Sequence, residues 1–161
     1  MSIPSTLANY LDQHGARYEV FPHAHSRTSA ETARSANVMA CQLAKSVVLE
    51  DDTGAVTMAV IPADKAVVVD ELARMLGRKD LRLADEERIA MLFKGCEPGA
   101  VPSIGMPWGI ETVVDDELEE SEVVYMEGGD HERLLRMSHD CFHDLMSTQR
   151  HGQFCETPTT H

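Results

Sequence analysis

The chain has 161 residues and a mass of 17.8 kDa, which is the size of one ordinary domain. It carries 27 acidic and 14 basic residues, a formal net charge of -13, and 43% of its residues are hydrophobic. This content excludes disorder through low hydropathy, and the charge argues against a protein that coats DNA or RNA, because such affinity comes from many Lys and Arg contacts to phosphates. Any nucleic-acid partner must therefore be held locally.

The first elements in chain order are a helix, a short strand and a second helix. Apolar residues at helical spacing predict a helix over residues 5–14, and an alternation of polar and apolar residues predicts a strand over 17–23. Thr28 and Glu31 then have the spacing of a capping box, in which each side chain satisfies backbone donors of the other. This box predicts an Ala-rich helix that ends near Asn37.

A β-hairpin is predicted next. Residues 43–50 and 55–61 are rich in β-branched side chains, and the turn 51–54 between them has the Asp and Gly content of a tight reversal. Further strands are predicted at 67–69, 81–83, 110–114, 122–126 and 133–137. Two further helices are predicted to begin at caps on Asp70 and Asp85, and a last helix is predicted from about Ser138 to Met146.

These elements predict an α+β fold with a single domain over residues 1–146. We expect a mixed, largely antiparallel, barrel-like sheet flanked by helices. Residues 147–161 are polar and lack periodicity, so they are predicted to form a flexible C-terminal tail.

The cysteines and the N-terminus indicate where the protein works. The chain has four cysteines without a C-x-x-C pair, and its first residues have neither the basic nor the apolar part of a secretory signal. No apolar run approaches the ~18 to 20 residues of a spanning helix. We therefore expect a cytoplasmic protein with free thiols and no membrane partner.

Lys45 lies inside a predicted strand and shares a face with Leu43 and Val47. Lysine is almost never fully buried without a partner, so this face is either open to solvent or lines a pocket. A solvent-exposed lysine is the commoner case. Other features of the chain must decide whether Lys45 is exposed or lines a pocket.

The loop 95–105 has three glycines and two prolines in eleven residues. Glycines allow backbone N–H groups to converge on an acceptor, and prolines fix the surrounding turns. Such a loop can hold a carbonyl oxygen, a carboxylate or a phosphate, although a plain surface connection has the same composition.

Taken in order, these motifs resemble the YbaK/ProX-type aminoacyl-tRNA editing domains, which also occur inserted in bacterial prolyl-tRNA synthetases. The resemblance extends to about Met146. The residues that carry it are Phe21 to His23, Thr28 to Glu31, the strand around Lys45, the loop 95–105 and the turn Gly128 to His131. Two positions depart from the family pattern: Ser103 follows Pro102 where a second proline is common, and Asp130 precedes His131 where serine is common.

The resemblance implies a hydrolase, a trans-acting aminoacyl-tRNA deacylase that cleaves the ester of tRNA mischarged with alanine, serine, threonine or cysteine, with tRNA(Pro) as one candidate. The implied partners are the 3' acceptor end of the tRNA and, as a candidate, a synthetase, without DNA, membrane or cofactor. Lys45 is assigned to the phosphate or ribose end of the terminal adenosine, with a general-base role ranked second. Backbone N–H groups around Gly99 and Gly105 are assigned to the oxyanion. The substrate-binding residues implied are His23, Thr28, Pro102, Ser103, Ile104 and His131.

Two other functions stay open. One is a non-catalytic binding module of the same fold, which would recognise an amino acid, a nucleotide end or a synthetase. The other is a metal-dependent hydrolase, because His139 and His143 lie at i and i+4 on a predicted helix, and His23 and His25 form a second pair. Without a third ligand in a defined motif, we predict an exposed polar stripe there and no metal. The acidic run 115–122 is interpreted as a solvated turn.

Overall fold

The computed structural model describes residues 3–158, in which single helices separate groups of one to three strands. The helices are α1 (Ser5–Gln13), α2 (Ser29–Ala36), α3 (Val69–Leu76), α4 (Glu86–Leu92) and α5 (His139–Leu145). The strands are β1 (Glu19–Pro22), β2 (Leu43–Glu50), β3 (Val56–Pro62), β4 (Ala66–Val67), β5 (Arg82–Leu83), β6 (Glu111–Asp115), β7 (Val123–Glu127), β8 (Arg133–Ser138), β9 (Arg150–Gly152) and β10 (Cys155–Glu156).

The main sheet has the order β1-β8-β7-β2-β3-β6-β9, with β5 paired to β2, while β4 and β10 form a separate two-stranded sheet. The β2–β7, β3–β6 and β6–β9 pairs are parallel and the other pairs are antiparallel. The α+β fold with a mixed, largely antiparallel sheet that the sequence predicted is thus confirmed. Within residues 3–158, its hydrogen-bonded path runs from β1 at one end to β9 at the other.

The pairing of β2 with β7 is short and creates an opening in the sheet. Leu43 pairs with Tyr125 and Ala44 with Met126, and the parallel ladder ends there. On its other side β2 stays paired with β3 along its length, with Lys45 opposite Ile61. The two parallel strands therefore separate at the level of Lys45.

Apolar clusters pack on both faces of the sheet. The largest lies under α1 and α5 and includes Leu7, Leu11, Phe93 and Phe142. On the face that carries Lys45 there are two smaller clusters, one under α2 around Leu43 and one under α3 around Leu49 and Ile61. Because alternate residues of a strand share a face, Lys45 follows the first cluster along β2 and precedes the second.

Most helix boundaries follow the local signals in the sequence. The Thr28 hydroxyl accepts the Glu31 N–H at 3.1 Å, as the capping box predicts, but the Glu31 carboxylate accepts the Arg27 N–H at 2.8 Å. Asp85 caps α4 as predicted. The predicted Asp70 cap is wrong, because α3 begins one residue before it, at Val69, and Asp70 lies in the first turn. There an acidic side chain interacts favourably with the helix dipole without capping.

The prediction of a flexible tail from residue 147 is wrong as far as residue 158. Strand β9 pairs in parallel with β6, β10 pairs with β4, and Phe154 between them is 1% exposed. Strands of three and two residues give no periodic signal, and their partners lie far away in the sequence, which is why composition missed them. The last part of the predicted tail, 159–161, lies outside the described residues.

Replacement of Phe154 by alanine should lower the free energy of unfolding by about 3–5 kcal/mol, because it leaves a cavity in the apolar cluster around Leu49 and Ile61. Urea unfolding of the full chain measures this change. The matched control is Phe21→Ala, since that ring is 39% exposed. Equal stability of the Phe154 variant and the wild type would contradict the burial of this segment in solution.

None of the helices in residues 3–158 combines the length and apolar character that a membrane-spanning helix requires.

Candidate active site

A cleft of about 370 Å³ opens where β2 and β7 separate. One wall is the N-terminal turn of α2, the floor is formed by the two strands, and the other wall is the loop after α4. The lining residues are Arg27, Thr28, Ser29, Ala30, Lys45, Ser46, Ala63, Pro98, Gly99, Val101 and Glu127. Three of the residues singled out from the sequence, Lys45, Thr28 and Gly99, therefore line one cleft.

Lys45 is half-buried and lines this cleft, so the structure places it in a pocket and not on open surface. Lys65, by contrast, contacts Thr157 at 2.8 Å and Glu117 at 3.9 Å. Within residues 3–158, Lys45 forms neither an ion pair nor a side-chain hydrogen bond. Its ammonium group is free to bind an anion.

The N-terminus of α2 adds to the positive potential of the cleft. Thr28 is the capping residue, and the N–H groups of Ser29 and Ala30 belong to the first turn, where helix geometry offers no intrahelical acceptor. The Arg27 side chain is exposed at the same end. In a chain with a net charge of -13, a helix N-terminus, an arginine and an unpaired lysine together create a local site for an anion.

Glu127, the last residue of β7, is 4% exposed and lines the same cleft. Within residues 3–158, neither of its carboxylate oxygens has a hydrogen-bond partner. Burial raises the pKa of Glu127 to about 7, and the charge of Asp130 acts in the same direction. The nearby Thr32 hydroxyl offsets this only in part, because it lies 2.5 Å from the Ser26 hydroxyl and shares a hydrogen bond with it.

Sequence reasoning missed Glu127. The available signal was a carboxylate at the end of the apolar strand Val123–Glu127, directly before two glycines. A group that stays unpaired after burial and titrates near neutrality is a candidate acid or base in a site.

His131 lies directly behind the loop, where it contacts Gly99. A Cβ atom at Gly99 would lie 2.8 Å from Cε1 of His131, so only glycine permits this approach. The His131 ring is 6% exposed, and its Nε2 lies 3.7 Å from the Glu97 carboxylate. Burial lowers the pKa of His131, although the charge of Glu97 opposes this. His131 therefore supports the loop, and it is absent from the cleft lining.

His23 is half-buried beside His131 and is held mainly by local contacts. Its backbone N–H donates to the Glu132 carbonyl at 2.8 Å, and its Nδ1 lies 2.7 Å from the Ala24 carbonyl oxygen. The edge of the neighbouring His25 ring faces His131, with 5.7 Å between the ring centroids. Like His131, His23 does not line the cleft.

Gly105, Pro102, Ser103 and Ile104 do not line the cleft, because this part of the loop turns inward. The Gly105 N–H donates to the Thr112 hydroxyl at 3.0 Å, so it cannot stabilise an oxyanion. Pro102, Ser103 and Ile104 are buried outside the cleft lining, and Ile104 belongs to the main core.

Two hydrogen bonds fasten the loop to the strand of Lys45. The Ser103 hydroxyl donates to the Ala44 carbonyl at 2.5 Å, and the Ser46 hydroxyl donates to the Val101 carbonyl at 2.9 Å. These hydrogen bonds stabilise the inward turn of residues 102–105. They also fix Gly99, which precedes the turn, relative to Lys45.

Comparison with known proteins identifies the family of the chain. The aminoacyl-tRNA editing domain family matches residues 23–145. Hypothetical protein APE2540 has a similar structure, with 26% identity, a TM-score of 0.83 and coverage of 94% of this chain and 99% of that one. No curated protein sequence matches the chain significantly.

Two further solved structures, each below 25% identity, share the fold. A candidate trans-editing enzyme for prolyl tRNA synthetase has 21% identity and a TM-score of 0.80, with 94% of this chain and 96% of that one covered. A candidate signal transduction protein from Marinobacter aquaeolei VT8 has 22% identity and a TM-score of 0.73. The match includes 96% of this chain and 31% of that one. The family match spans every residue that lines the cleft. The chain therefore belongs to the aminoacyl-tRNA editing domain family, as its motifs predicted.

Proposed function

We propose that this protein is a trans-acting deacylase, which hydrolyses the ester between a small amino acid and the terminal ribose of a mischarged tRNA in the cytoplasm. The observation that carries this proposal is the convergence of an unpaired lysine and an unpaired buried carboxylate on one cleft of an editing domain. tRNA(Pro) is the first tRNA to test, since a structural neighbour is described as a candidate trans-editing enzyme for prolyl tRNA synthetase.

The positive end of the cleft suits the terminal nucleotide. Lys45 acts as a point charge on its phosphate or ribose, and the first-turn N–H groups of α2 add donors for the same oxygens. The rest of the chain carries a large negative charge and offers little to the tRNA body. Recognition is therefore confined to the acceptor end, and a synthetase is a candidate for delivering the substrate.

Hydrolysis requires a positioned water and a donor for the oxyanion. Water attacks the ester carbonyl carbon while Glu127 accepts its proton, which suits a carboxylate whose pKa is about 7. The Gly99 N–H, which has no acceptor within residues 3–158, donates to the carbonyl oxygen as negative charge develops there. Collapse of the tetrahedral intermediate breaks the bond to the ribose oxygen, and Glu127 returns the proton to that oxygen.

The small side chains of Ala63 and Ser46 lie in the cleft together with Val101, and the loop that carries Val101 is fastened to β2. Compact neighbours of this kind favour a small side chain in the substrate. Binding alone separates small side chains poorly, so the choice among them is left to a panel of charged tRNAs.

A panel of tRNAs charged with alanine, serine, threonine, cysteine or proline tests the proposal. We expect release of at least one small amino acid, in the presence of a chelator and without added protein, because the cleft residues supply all the groups that the reaction uses. Release of labelled amino acid measures the rate, and the uncatalysed loss of the ester is subtracted.

Two results would contradict the deacylase, and a third would contradict selection by size. Saturable binding of the charged acceptor end without turnover would indicate a binding module of the same fold. Turnover that disappears with the chelator would indicate a metal-dependent hydrolase. Release of proline from its correct tRNA at the same rate as the small amino acids would contradict size selection.

A further inference from the structure

Four side chains capable of binding a metal meet at a place remote from the cleft lining. Glu119 belongs to a 3-10 turn, His139 and His143 belong to α5, and His151 belongs to β9. The Glu119 carboxylate lies 2.6 Å from His139 Nε2, 3.0 Å from His143 Nδ1 and 4.0 Å from His151 Nδ1. The third ligand that the sequence motif lacked is thus supplied by a distant turn.

The spacing of these atoms fits a single ion. One ligand atom each from Glu119, His139 and His143 lies within 4.8 Å of the others. Zinc binds nitrogen and oxygen at about 2.0–2.2 Å, so ligand atoms around one tetrahedral ion lie roughly 3.3–3.5 Å apart. Small side-chain rotations bring the three groups to these positions, because the two imidazoles already stack on one face of α5 with centroids 5.7 Å apart.

The remaining ring nitrogens are held as in established metal sites. His151 Nε2 lies 3.0 Å from the Met146 carbonyl, to which it donates, and this leaves Nδ1 on the Glu119 side without a proton. His139 Nδ1 lies 3.3 Å from the Asp140 carboxylate, and its Nε2 would exchange the present hydrogen bond to Glu119 for the ion. Hydrogen bonds of this kind orient metal-ligating histidines.

The second group of candidate ligands, Asp115, Glu117 and Cys155, does not fit. Both carboxylate oxygens of Asp115 already accept backbone N–H groups, from Glu117 at 2.9 Å and Phe154 at 2.8 Å. Burial raises the pKa of the Cys155 thiol to about 12, whereas a metal requires the thiolate.

We propose that Glu119, His139, His143 and His151 form a binding site for a divalent transition metal, with Zn²⁺ as the preferred ion. An acidic depression of about 390 Å³, lined by Glu119, Glu120, Glu122 and Asp140, opens beside the cluster and provides access for a cation. The ion joins the 3-10 turn, α5 and β9. It is structural, since none of its ligands lines the cleft.

The test uses untagged full-length protein, stripped with a chelator and then titrated with Zn²⁺ in a calorimeter. We expect one ion per chain, a higher melting temperature with zinc, and, when Co²⁺ is substituted, the visible absorption of a four-coordinate site. His143→Ala and Glu119→Gln should each weaken binding by about 10–100-fold or more. The matched control is His14→Ala, since His14 lies at the end of α1 and contacts Tyr10.

Absence of binding by the stripped wild type would overturn the proposal and leave a hydrogen-bonded cluster only. Equal affinity in the His14 and His143 variants would overturn it as well, by assigning the zinc to another place. If His143→Ala does not fold, His151→Gln is tested instead. The glutamine amide can still donate a hydrogen bond to the Met146 carbonyl, which is the bond that His151 Nε2 makes. Zinc binding is measured without tRNA, and deacylation is compared between wild type and His143→Ala at a temperature at which both are folded, so the two proposals fail independently.

Discussion

Substitution of Lys45 by alanine should remove nearly all deacylase activity while the protein stays folded. The side chain is half-buried, lines the cleft and has no partner within residues 3–158, so its removal breaks no internal ion pair. We expect kcat/KM on the preferred mischarged tRNA to fall by about 10²-fold or more, because a substrate that loses its charged anchor is misplaced relative to the reacting groups. Urea unfolding should give nearly the wild-type curve.

Two further variants sharpen this result. Lys45→Arg keeps the charge but replaces a compact ammonium with a larger planar group, so we expect intermediate activity. Lys65→Ala is the matched control, since it removes a lysine that is paired outside the cleft and should leave turnover unchanged. Full activity of Lys45→Ala, with native stability, would overturn the site assignment.

Glu127→Gln should lower the rate of deacylation by about 10²–10⁴-fold, the range for loss of a positioned general base. In the wild type, the logarithm of the rate should rise with pH below about 7 and level off above it, because only the ionised carboxylate accepts the proton. The variant should lose this dependence. Initial rates across the pH range, corrected for uncatalysed hydrolysis, measure both effects.

Glu127 should also make the free energy of unfolding depend on pH, and this effect is independent of catalysis. Burial raises the pKa of Glu127 from 4.5 to about 7, so between these values the folded protein holds a proton that the unfolded chain has released. The free energy of unfolding therefore falls as pH rises through this window, by about 3 kcal/mol at 1.36 kcal/mol per pKa unit. Glutamine carries no charge, so Glu127→Gln should be more stable than wild type at about pH 8 and similar to it below pH 5.

Glu87→Gln is the matched control, because Glu87 is exposed on α4. It should change neither the pH profile nor the stability difference. Wild-type activity in Glu127→Gln would remove this residue from the mechanism. Equal stability of the two proteins at about pH 8 would contradict the burial of an unpaired carboxylate.

Local signals in the sequence were sufficient for most of the fold. The hairpin of β2 and β3, the Thr28 cap and the Asp85 cap follow from interactions within a few residues. Strands β9 and β10 could not be predicted in this way, since each is stabilised by a partner far away in the chain. Residues 150–156 contain no period that distinguishes them from a loop.

The candidate site divides in the same way. Lys45 stood out because a lysine within an apolar strand is unusual, and the family resemblance pointed to it as well. Glu127 was missed because its raised pKa depends on burial, which only the packed structure defines. The internal partners of Ser103 and Gly105 could not be predicted, because a glycine- and proline-rich loop shows where the chain turns but not which way its N–H groups point.

The two hydrogen bonds between the loop and β2 determine how the cleft can respond to a substrate. Ala44 and Ser46, the neighbours of Lys45, are each tied to the loop, through Ser103 and Val101. The lysine and the wall opposite it therefore move as one body, and the opening has a fixed width. Under the proposed function, such a cleft selects its substrate by the fit to a preformed opening, without a closing motion.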